Sequence, residues 1–319
     1  MGRARLKNIL KDLIMKKILT SAILLAVAST AQASPQLYGA INLGVANNTS
    51  SDTMNMGSYS SKVGIKGEQE INQKLTGIYK VELGTDISGD STAISTYNTI
   101  IGVKGKMGTA YVGRMDTPYK QASSADVFAN TAIDSQHGAS GVIGAGGWDN
   151  RTNNTIGYES PKLGHVTFMA AGAVDQTAGS NDIFGTTSYA AKYKDSNVMA
   201  SIAYENNATS DTSAFKMTAS IKQDKATVAG TYEVADRFGE KDVSSMLVSA
   251  KYKYTDDVEI IGQYGTVESA INDDLESRLS VGVAHSLAKN TNVYAAWNTD
   301  SMGSAGNANS LIAGLQHSF

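Results

Sequence analysis

The sequence predicts an all-β fold, a transmembrane antiparallel β-barrel of about sixteen strands. Three observations predict it: apolar and polar residues alternate in short segments, the connections between segments alternate in length, and aromatic residues cluster near segment ends. The 319 residues include 31 Gly and 15 Tyr but only 3 Pro and no Cys. Proline removes a backbone donor from a strand, so its scarcity suits a sheet. The lack of cysteine excludes disulfides and thiolate metal sites.

The N-terminus carries a predicted leader. Two lysines follow Met15, and a short apolar run then ends near the small-x-small sequence Ala-Gln-Ala at residues 31–33. This order is that of a secretory signal peptide, whereas a membrane-anchoring helix needs a longer run of ~20 apolar residues. We therefore expect residues 1–33 to be a signal peptide, with translation starting at Met15. Residues 34–319 are expected to form a single barrel domain.

Alternation of apolar and polar residues marks the strands. Residues 37–46, 75–83 and 215–222 each place apolar side chains on one face and small or polar ones on the other, as successive residues of a strand do. Alternation alone fits a soluble sandwich as well as a barrel, and a smaller or larger even number of strands stays open. The segments predict strands that start near residues 36, 60, 75, 97, 109, 151, 165, 187, 197, 213, 225, 244, 258, 276, 291 and 308.

Connection lengths favour the membrane barrel over the sandwich. Transmembrane barrels have short turns at one end and longer loops at the other. The face opposite the apolar one is rich in Lys, Arg, Glu, Ser and Thr, which suits an aqueous lumen that is too wide for side chains to fill. Short links at 195–196, 223–224, 255–257 and 288–290 alternate with long polar connections at 47–56, 174–182, 236–242 and 301–307.

Aromatic residues near the segment ends predict a girdle at the membrane–water interface. Amphipathic rings prefer that interface, and membrane barrels carry them at both rims. The predicted girdle consists of Tyr111, Tyr158, Tyr189, Tyr193, Tyr204, Tyr232, Tyr252, Tyr254, Tyr264 and Trp297.

Charge and motif content exclude several function classes. The full chain has a formal net charge of −3, which argues against nucleic-acid binding because that depends on cations that neutralise phosphates. The four histidines have no metal-ligand spacing, and neither H-E-x-x-H nor G-x-S-x-G occurs. The glycine-rich residues 144–147 lack the lysine of a phosphate-binding loop. We expect no catalytic residues, no metal and no cofactor.

The C-terminal segment alternates through residues 310–319 and ends in Phe319. A terminal phenylalanine on an alternating strand resembles the C-terminal signature of outer-membrane barrels, which their assembly machinery reads. His317 departs from the bulkier apolar residue usual at that position. The expected partners are therefore the barrel-assembly machinery and outer-membrane lipid.

Four stretches together carry a family resemblance: LYG at 37–39, VGRMDTP at 112–118, RTNNTIGYESP at 151–161 and GLQHSF at 314–319. In this order and spacing, the chain resembles the neisserial-type branch of the Gram-negative general porins. The resemblance implies a sixteen-stranded homotrimer in the outer membrane whose third loop folds inward. It implies passive diffusion of ions and small hydrophilic solutes through a water-filled channel, and no enzyme activity.

The longest connection, residues 116–150, is by this resemblance the inward loop, and an ordinary surface loop is the alternative. Connections of this length are usually functional or disordered. Its charged residues are Asp116, Lys120, Asp126, Asp134 and Asp149.

A basic wall is expected to face this loop. An acidic loop opposite a basic wall gives a transverse field at the neck. Arg114 and Arg151 flank the loop and are expected at the constriction, and the basic excess predicts a weak anion preference. Strand alternation assigns these cations to the lumen: Lys62, Lys66, Lys80, Lys104, Arg114, Arg151, Lys192, Lys216, Lys251 and Arg278. It assigns fewer acids: Glu82, Glu159, Glu205, Glu233 and Glu259.

Three other functions stay open at this point. One is a substrate-specific outer-membrane channel, for example for oligosaccharides or phosphate. A sugar channel would carry a line of aromatics along its lumen, whereas most tyrosines here have the lipid-facing parity. An outer-membrane barrel enzyme would need a nucleophile and a base at the rim. A secreted β-sandwich adhesin would remain soluble without detergent.

Overall fold

The computed structural model describes residues 35–48, 53–135, 148–176, 182–236, 242–268, 275–301 and 307–319. The predicted leader and the glycine-rich residues 144–147 lie outside these ranges. In the described part, seventeen strands form one sheet in which every strand pairing is antiparallel, and one helical turn lies between two of them. No helix among these residues is long and apolar enough to cross a membrane.

The strands follow one another round the sheet in chain order, and apart from the second and third each strand is hydrogen-bonded to the next one in sequence. Their bounds are β1 (Gln36–Asn48), β2 (Thr53–Ser58), β3 (Lys62–Asn72), β4 (Leu75–Thr85), β5 (Ile94–Gly105), β6 (Gly108–Asp116), α1 (Pro118–Gln121), β7 (Arg151–Glu159), β8 (Val166–Val174), β9 (Phe184–Lys194), β10 (Val198–Asn207), β11 (Thr212–Gln223), β12 (Ala226–Ala235), β13 (Val243–Lys253), β14 (Val258–Glu268), β15 (Leu275–Ala288), β16 (Thr291–Ser301) and β17 (Asn307–Ser318).

The sheet closes where β1 pairs with β17, from Ala40 opposite Ser318 to Asn48 opposite Ser310. On its other side, β1 pairs with β3 over residues 36–40 and with β2 over residues 43–48. β2 and β3 therefore occupy one position in the wall, and the barrel is a closed ring of sixteen positions. A closed ring leaves no strand edge unpaired, as a lipid environment requires.

The break between β2 and β3 is bridged by one side chain of β1. The Asn42 side-chain amide donates to the Tyr59 carbonyl at 2.9 Å, and the Asn42 backbone N–H donates to Ser61 Oγ at 3.0 Å. Backbone groups that the interrupted ladder leaves free at this point are thus hydrogen-bonded, which lets the wall change register without an open edge.

The predicted fold class and its sixteen strand positions are confirmed. The two largest offsets are the strands expected near residues 97 and 187, which begin at Ile94 and Phe184. The prediction of a connection over 47–56 was wrong, because β2 begins at Thr53 and continues the pairing with β1. Strand ends near the rim carry polar residues, as loops do, so composition alone misplaces such boundaries.

The two faces of the wall have the reverse polarity of a soluble protein, with apolar side chains outside and charged ones inside. Large apolar side chains such as Ile101, Ile202 and Val228 lie on the outside and are more than half exposed. Charged side chains on the other face, such as Glu82 and Glu233, are almost fully buried. An apolar exterior around a polar interior is the arrangement of a barrel surrounded by lipid.

Tyr111 was wrongly assigned to the outer girdle. It is only 7% exposed and packs on the inner side against Gly157 of β7. Its strand neighbour Val112 is exposed on the outside instead. The aromatic type suggested an interface position, but strand parity places the ring in the lumen.

Gly113 in β6 has a backbone conformation that only glycine adopts readily, with φ of 138°. A Cβ at this position would overlap the Thr99 carbonyl of β5. We expect Gly113→Ala to lower the free energy of unfolding by roughly 1–3 kcal/mol. The measurement is the urea midpoint of the refolded protein, followed by tryptophan fluorescence.

Gly230→Ala is the matched control, since the nearest atom to a Cβ there is the Leu247 carbonyl oxygen at 3.9 Å. We expect this variant to unfold within about 0.5 kcal/mol of the wild type. Equal midpoints for the two variants would contradict the strain at Gly113.

Candidate functional site

Residues 117–135, the first described part of the β6–β7 connection, lie along the polar face of the wall, and we call them the β6–β7 segment. Its contacts advance round the barrel strand by strand as the chain proceeds. Four hydrogen bonds mark this course: Tyr119 N–H to Ser188 Oγ of β9 (2.9 Å), Ala125 N–H to Thr231 Oγ1 of β12 (2.9 Å), Val127 N–H to Gln263 Oε1 of β14 (3.0 Å), and Gln316 Nε2 of β17 to the Asn130 carbonyl (3.4 Å).

Apolar side chains of the segment fill sites on the polar face. Phe128 is 1% exposed and packs in a cluster with Ile261, Tyr294 and Ile312 of β14, β16 and β17. Ala125 packs on the fully buried Leu247 of β13. Burial of a phenylalanine side chain stabilises by about 1.5–3 kcal/mol. The segment is thus held to the wall by packing as well as by hydrogen bonds.

A cluster of buried charges fixes both ends of the connection to β11 and β12. The Tyr119 hydroxyl of α1 donates to Glu233 Oε2 at 2.6 Å, and Lys216 Nζ lies 4.4 Å from the centre of the Tyr119 ring. Asp149, on the returning chain, lies 3.6 Å from Lys216 Nζ and 3.3 Å from Lys120 Nζ. Any movement that separated such a buried pair would leave a buried charge without a partner, so the cluster favours a single position of the chain.

Two carboxyl groups of the segment share one site. Asp126 accepts the backbone N–H groups of Phe128 at 2.8 Å and Ser135 at 2.7 Å, and its side chain is also hydrogen-bonded to Asp134. Burial, together with the neighbouring Asp134 charge, raises the pKa of Asp126 to about 7. Below that pH the Asp126–Asp134 pair holds a proton, and the hydrogen bond that this proton makes joins the two side chains.

Asp116 and Arg151 close the neck of the connection. Arg151 Nη2 lies 2.9 Å from Asp116 Oδ1, and the Asn98 side-chain amide donates to Asp116 Oδ2 at 2.7 Å. The Arg151 guanidinium also stacks 4.4 Å from the centre of the Tyr97 ring. The last residue of β6 and the first of β7 are therefore joined by an ion pair.

Arg114 has a different environment. Its Nε donates to the Thr96 carbonyl at 2.8 Å and its Nη1 to Asn153 Oδ1 at 2.6 Å. It shares the side of β6 on which Val112 is exposed to the outside, while its neighbour Met115 is buried on the other side. The structure thus places Arg114 away from the charged residues of the lumen wall.

Four predicted lysines form a row on β3, β4 and β5. Each has a nearby group: Lys62 and Lys80 lie 3.0 and 3.1 Å from the Glu82 carboxylate, Lys104 lies 3.7 Å from Glu68, and Lys66 lies 4.9 Å from the centre of the Tyr38 ring. A cavity of about 710 Å³ lies in front of this row and reaches Gln121 of α1. Its charged lining residues are Lys66, Lys80, Lys104, Glu68, Asp116 and Glu159.

The other predicted wall residues contact the segment or a second cavity. Lys192 Nζ donates to the Gln121 carbonyl at 2.9 Å. Arg278 bonds to Asp300 at 2.6 Å and to the Asp134 carbonyl at 3.4 Å. A second polar cavity of about 270 Å³ is lined by Lys251 and Glu259 together with residues 127–129. Glu205 is buried on the inner face of β10.

The acids predicted for the 116–150 connection fall into two groups. Asp116 borders the cavity in front of the lysine row. The Asp126 and Asp134 side chains are hydrogen-bonded to each other, and Asp149 is paired with Lys216 of β11 and with Lys120. The geometry therefore brings only one of these acids to the side where the lysine row lies.

Sequence reasoning missed the residues that hold the segment in place, Tyr119, Phe128 and Gln263. A signal was present in the wall. Leu247 and Ile312 are large apolar residues at positions whose strand parity faces the polar side. An apolar side chain on a water-facing surface indicates that another part of the protein covers it.

The family model for Gram-negative porins matches residues 19–302. The chain belongs to the Gram-negative porins. This confirms the predicted family and, with the closed sixteen-position barrel, places this porin in the outer membrane as a multi-pass channel for transport rather than an enzyme. No curated protein sequence matches this porin.

Solved structures share its fold at low sequence identity. The anion-selective porin from Comamonas acidovorans is 18% identical with a TM-score of 0.72, covering 90% of this chain and 100% of its own. OmpF of Salmonella typhi, in complex with daunomycin, is 15% identical with a TM-score of 0.74, covering 90% and 98%. The trimer form of OmpT from Vibrio cholerae is 16% identical with a TM-score of 0.69, covering 91% and 100%.

Stability of this porin is expected to fall as the pH rises through about 7. An acid whose folded pKa is raised contributes stability that is full below its ordinary pKa and is lost above the raised one. Asp126→Asn keeps a neutral hydrogen-bonding side chain beside Asp134, so it should flatten the dependence. The measurement is the urea midpoint between pH 5 and 9.

Asp195→Asn is the control for this experiment. Backbone N–H groups of Val198 and Asn197 lower the pKa of Asp195 to about 2, so it stays ionised over the whole range. We expect this variant to keep the wild-type slope. A full slope in Asp126→Asn would contradict the assignment to Asp126.

Proposed function

We propose that this porin is a general diffusion channel whose passage lies between the β6–β7 segment and the wall formed by β3 to β7. The observation that carries the proposal is the position of the segment. It lies against β9 to β17, while the 710 Å³ cavity lies in front of β3 to β7. We infer that the segment is the constriction loop and that ions and small hydrophilic solutes diffuse past it.

The charges of the passage support a weak preference for anions. Charges at a constriction set ion selectivity, and loop charges beyond about 8–10 Å are screened at physiological salt. The charged groups of the passage include one more cation than acids, which gives a small positive potential in the passage. Among the charged residues that line the cavity or form an ion pair beside it, the cations are Lys62, Lys66, Lys80, Lys104 and Arg151, and the acids are Glu68, Glu82, Asp116 and Glu159.

Neutralisation of two cavity lysines should reverse this preference. We expect the double variant Lys66→Gln/Lys104→Gln to lower the chloride-to-potassium permeability ratio by about a factor of two, because both cations line the passage. The reversal potential of single channels in a salt gradient measures the ratio. Lys289→Gln, in the β15–β16 turn, is the control and should leave it unchanged. An unaltered ratio in the double variant would refute this proposed path.

We propose further that three copies associate through the outer face of β1 to β6. In the described residues this face exposes aliphatic side chains such as Leu37, Val81 and Ile101, and none of its aromatics is among the exposed large hydrophobic side chains. Aromatic rings favour the lipid interface, so a face without them suits contact with protein. The exposed aromatics lie from β7 onward: Tyr158, Phe168, Tyr189, Tyr204, Phe215, Tyr232, Tyr252, Tyr254, Tyr264, Trp297 and Phe319.

Cysteine labelling tests this face, because the chain has no Cys of its own. Ile101→Cys on β5 and Ile202→Cys on β10 are both more than half exposed in the single chain. We expect a lipid-soluble maleimide to label the β10 variant in membranes at least about fivefold faster, since contact with another copy shields β5. Equal rates would rule out a protein contact at β5.

Two further proposals concern biogenesis. The predicted signal peptide directs the chain to the periplasm, where the assembly machinery would read the terminal strand. Support comes from Phe319, whose ring is half exposed and whose backbone N–H donates to the Gly39 carbonyl at 3.1 Å. The terminal residue thus takes part in the seam that closes the barrel.

A further inference from the structure

One end of the barrel carries a ring of lysines. Seven short turns join strands at this end, which by the convention of membrane barrels is the periplasmic one. All seven lie within the described ranges, and each contains or directly follows an exposed lysine. These are Lys74 (β3–β4), Lys106 (β5–β6), Lys162 (β7–β8), Lys194 (β9–β10), Lys225 (β11–β12), Lys253 (β13–β14) and Lys289 (β15–β16).

These lysines have no ionic partner in the part of the chain that the structure describes, since no carboxylate there lies within 4 Å of them. Cations inside the barrel behave differently, because Lys62, Lys216 and Arg278 each contact a carboxylate. Several interior cations are therefore paired with carboxylates, whereas the lysines at the periplasmic rim have no such partner among the described residues.

Acids of the same rim are partly occupied by their own turns. Asp195 accepts the backbone N–H groups of Asn197 and Val198 at 2.8 and 2.7 Å. Asp257 accepts the Thr255 hydroxyl at 2.6 Å and faces His285 at 3.7 Å. Asp224 and Asp256 are exposed as well, but lysines outnumber them round the rim.

Three connections at the opposite end carry the reverse charge in their described parts. The described parts of three connections there, 86–93, 175–183 without 177–181, and 208–211, contain aspartates and neither lysine nor arginine. Solubility requires charged residues at both ends but does not require a different sign at each end. The difference in sign between the two ends therefore indicates a separate role for the lysines. The aspartates are Asp86, Asp90, Asp175, Asp182 and Asp211.

Aromatic residues place two of the lysines, Lys162 and Lys253, at the level of lipid headgroups, and the matching turns place Lys194 and Lys225 at the same rim. Tyr158 and Phe168 flank the β7–β8 turn, while Tyr252 and Tyr254 stand on either side of Lys253, and all four rings are exposed. Tyrosine side chains lie at the boundary between hydrocarbon and headgroups. A lysine one or a few residues further toward the turn reaches the phosphate level, and its long stem allows the ammonium to extend there.

We propose that the periplasmic rim from β7 to β14 binds the phosphodiester headgroups of anionic phospholipids in the inner leaflet through Lys162, Lys194, Lys225 and Lys253. Unpaired lysines beside interfacial aromatics are the chemistry that recognises such headgroups. The choice of this arc rests on the trimer face proposed above, which would cover the turns that carry Lys74 and Lys106.

The test compares lipid binding in reconstituted vesicles. The porin is placed in phosphatidylcholine vesicles, and spin-labelled phosphatidylglycerol and phosphatidylcholine report their relative association with the protein. The wild type should prefer phosphatidylglycerol about threefold at low salt and lose the preference in 0.5 M NaCl. The variant K162Q/K194Q/K225Q/K253Q should show a ratio near one at both salts. Its charge-retaining counterpart K162R/K194R/K225R/K253R should keep the wild-type ratio.

Double variants test the arc and guard against a misfolded quadruple variant. K194Q/K225Q and K74Q/K106Q remove the same charge from opposite arcs, and only the former should lower the preference. A preserved preference in the glutamine variants, or equal losses on both arcs, would overturn the proposal. So would lysine-dependent sedimentation with purified peptidoglycan in the absence of any lipid preference. The cysteine labelling of β5 tests the trimer face separately, so the two failures are distinguishable.

Discussion

Hydrogen-bond closure of the backbone in hydrocarbon is the condition on which the rest of this structure depends. Lipid offers no partner to a free N–H or C=O group, so the first and last strands must find each other. The pairing of β1 with β17 meets this demand. Even the interrupted position is sealed, because Asn42 bonds to Tyr59 and Ser61 between β2 and β3. Once the ring is closed, every strand has lipid on one flank and the lumen on the other.

That two-sided environment explains why most of the fold could be predicted from sequence. It requires an apolar residue at every second position and a polar or small one between, but seldom one particular amino acid. Alternation of these two classes therefore locates the strands. The same reasoning explains how porins that are only 15–18% identical share TM-scores of about 0.7 with this chain. Prediction failed where the demand weakens, as at Thr53 on the rim, or where residue type and parity disagree, as at Tyr111.

The path of the β6–β7 segment could not be predicted in the same way. Its anchors join residues far apart in sequence, such as Tyr119 with Glu233 and Val127 with Gln263. Serine, threonine and glutamine on the lumen side are equally compatible with water, so their role as anchors leaves no periodic trace. The alternation did assign the lysine row on β3 to β5 to the inner face, but not which acids would lie near it. Asp126 and Asp149 find their partners within the segment or on β11.

The course of the segment has a mechanical consequence. A wide cylinder made of one sheet flattens easily, because small changes in the angle between neighbouring strands turn a circular cross-section into an ellipse. A chain that is stitched to β9, β12, β14 and β17 in succession ties separate sectors of the circumference together. It acts as an internal brace, so the segment also stiffens the cylinder against lateral pressure from the bilayer.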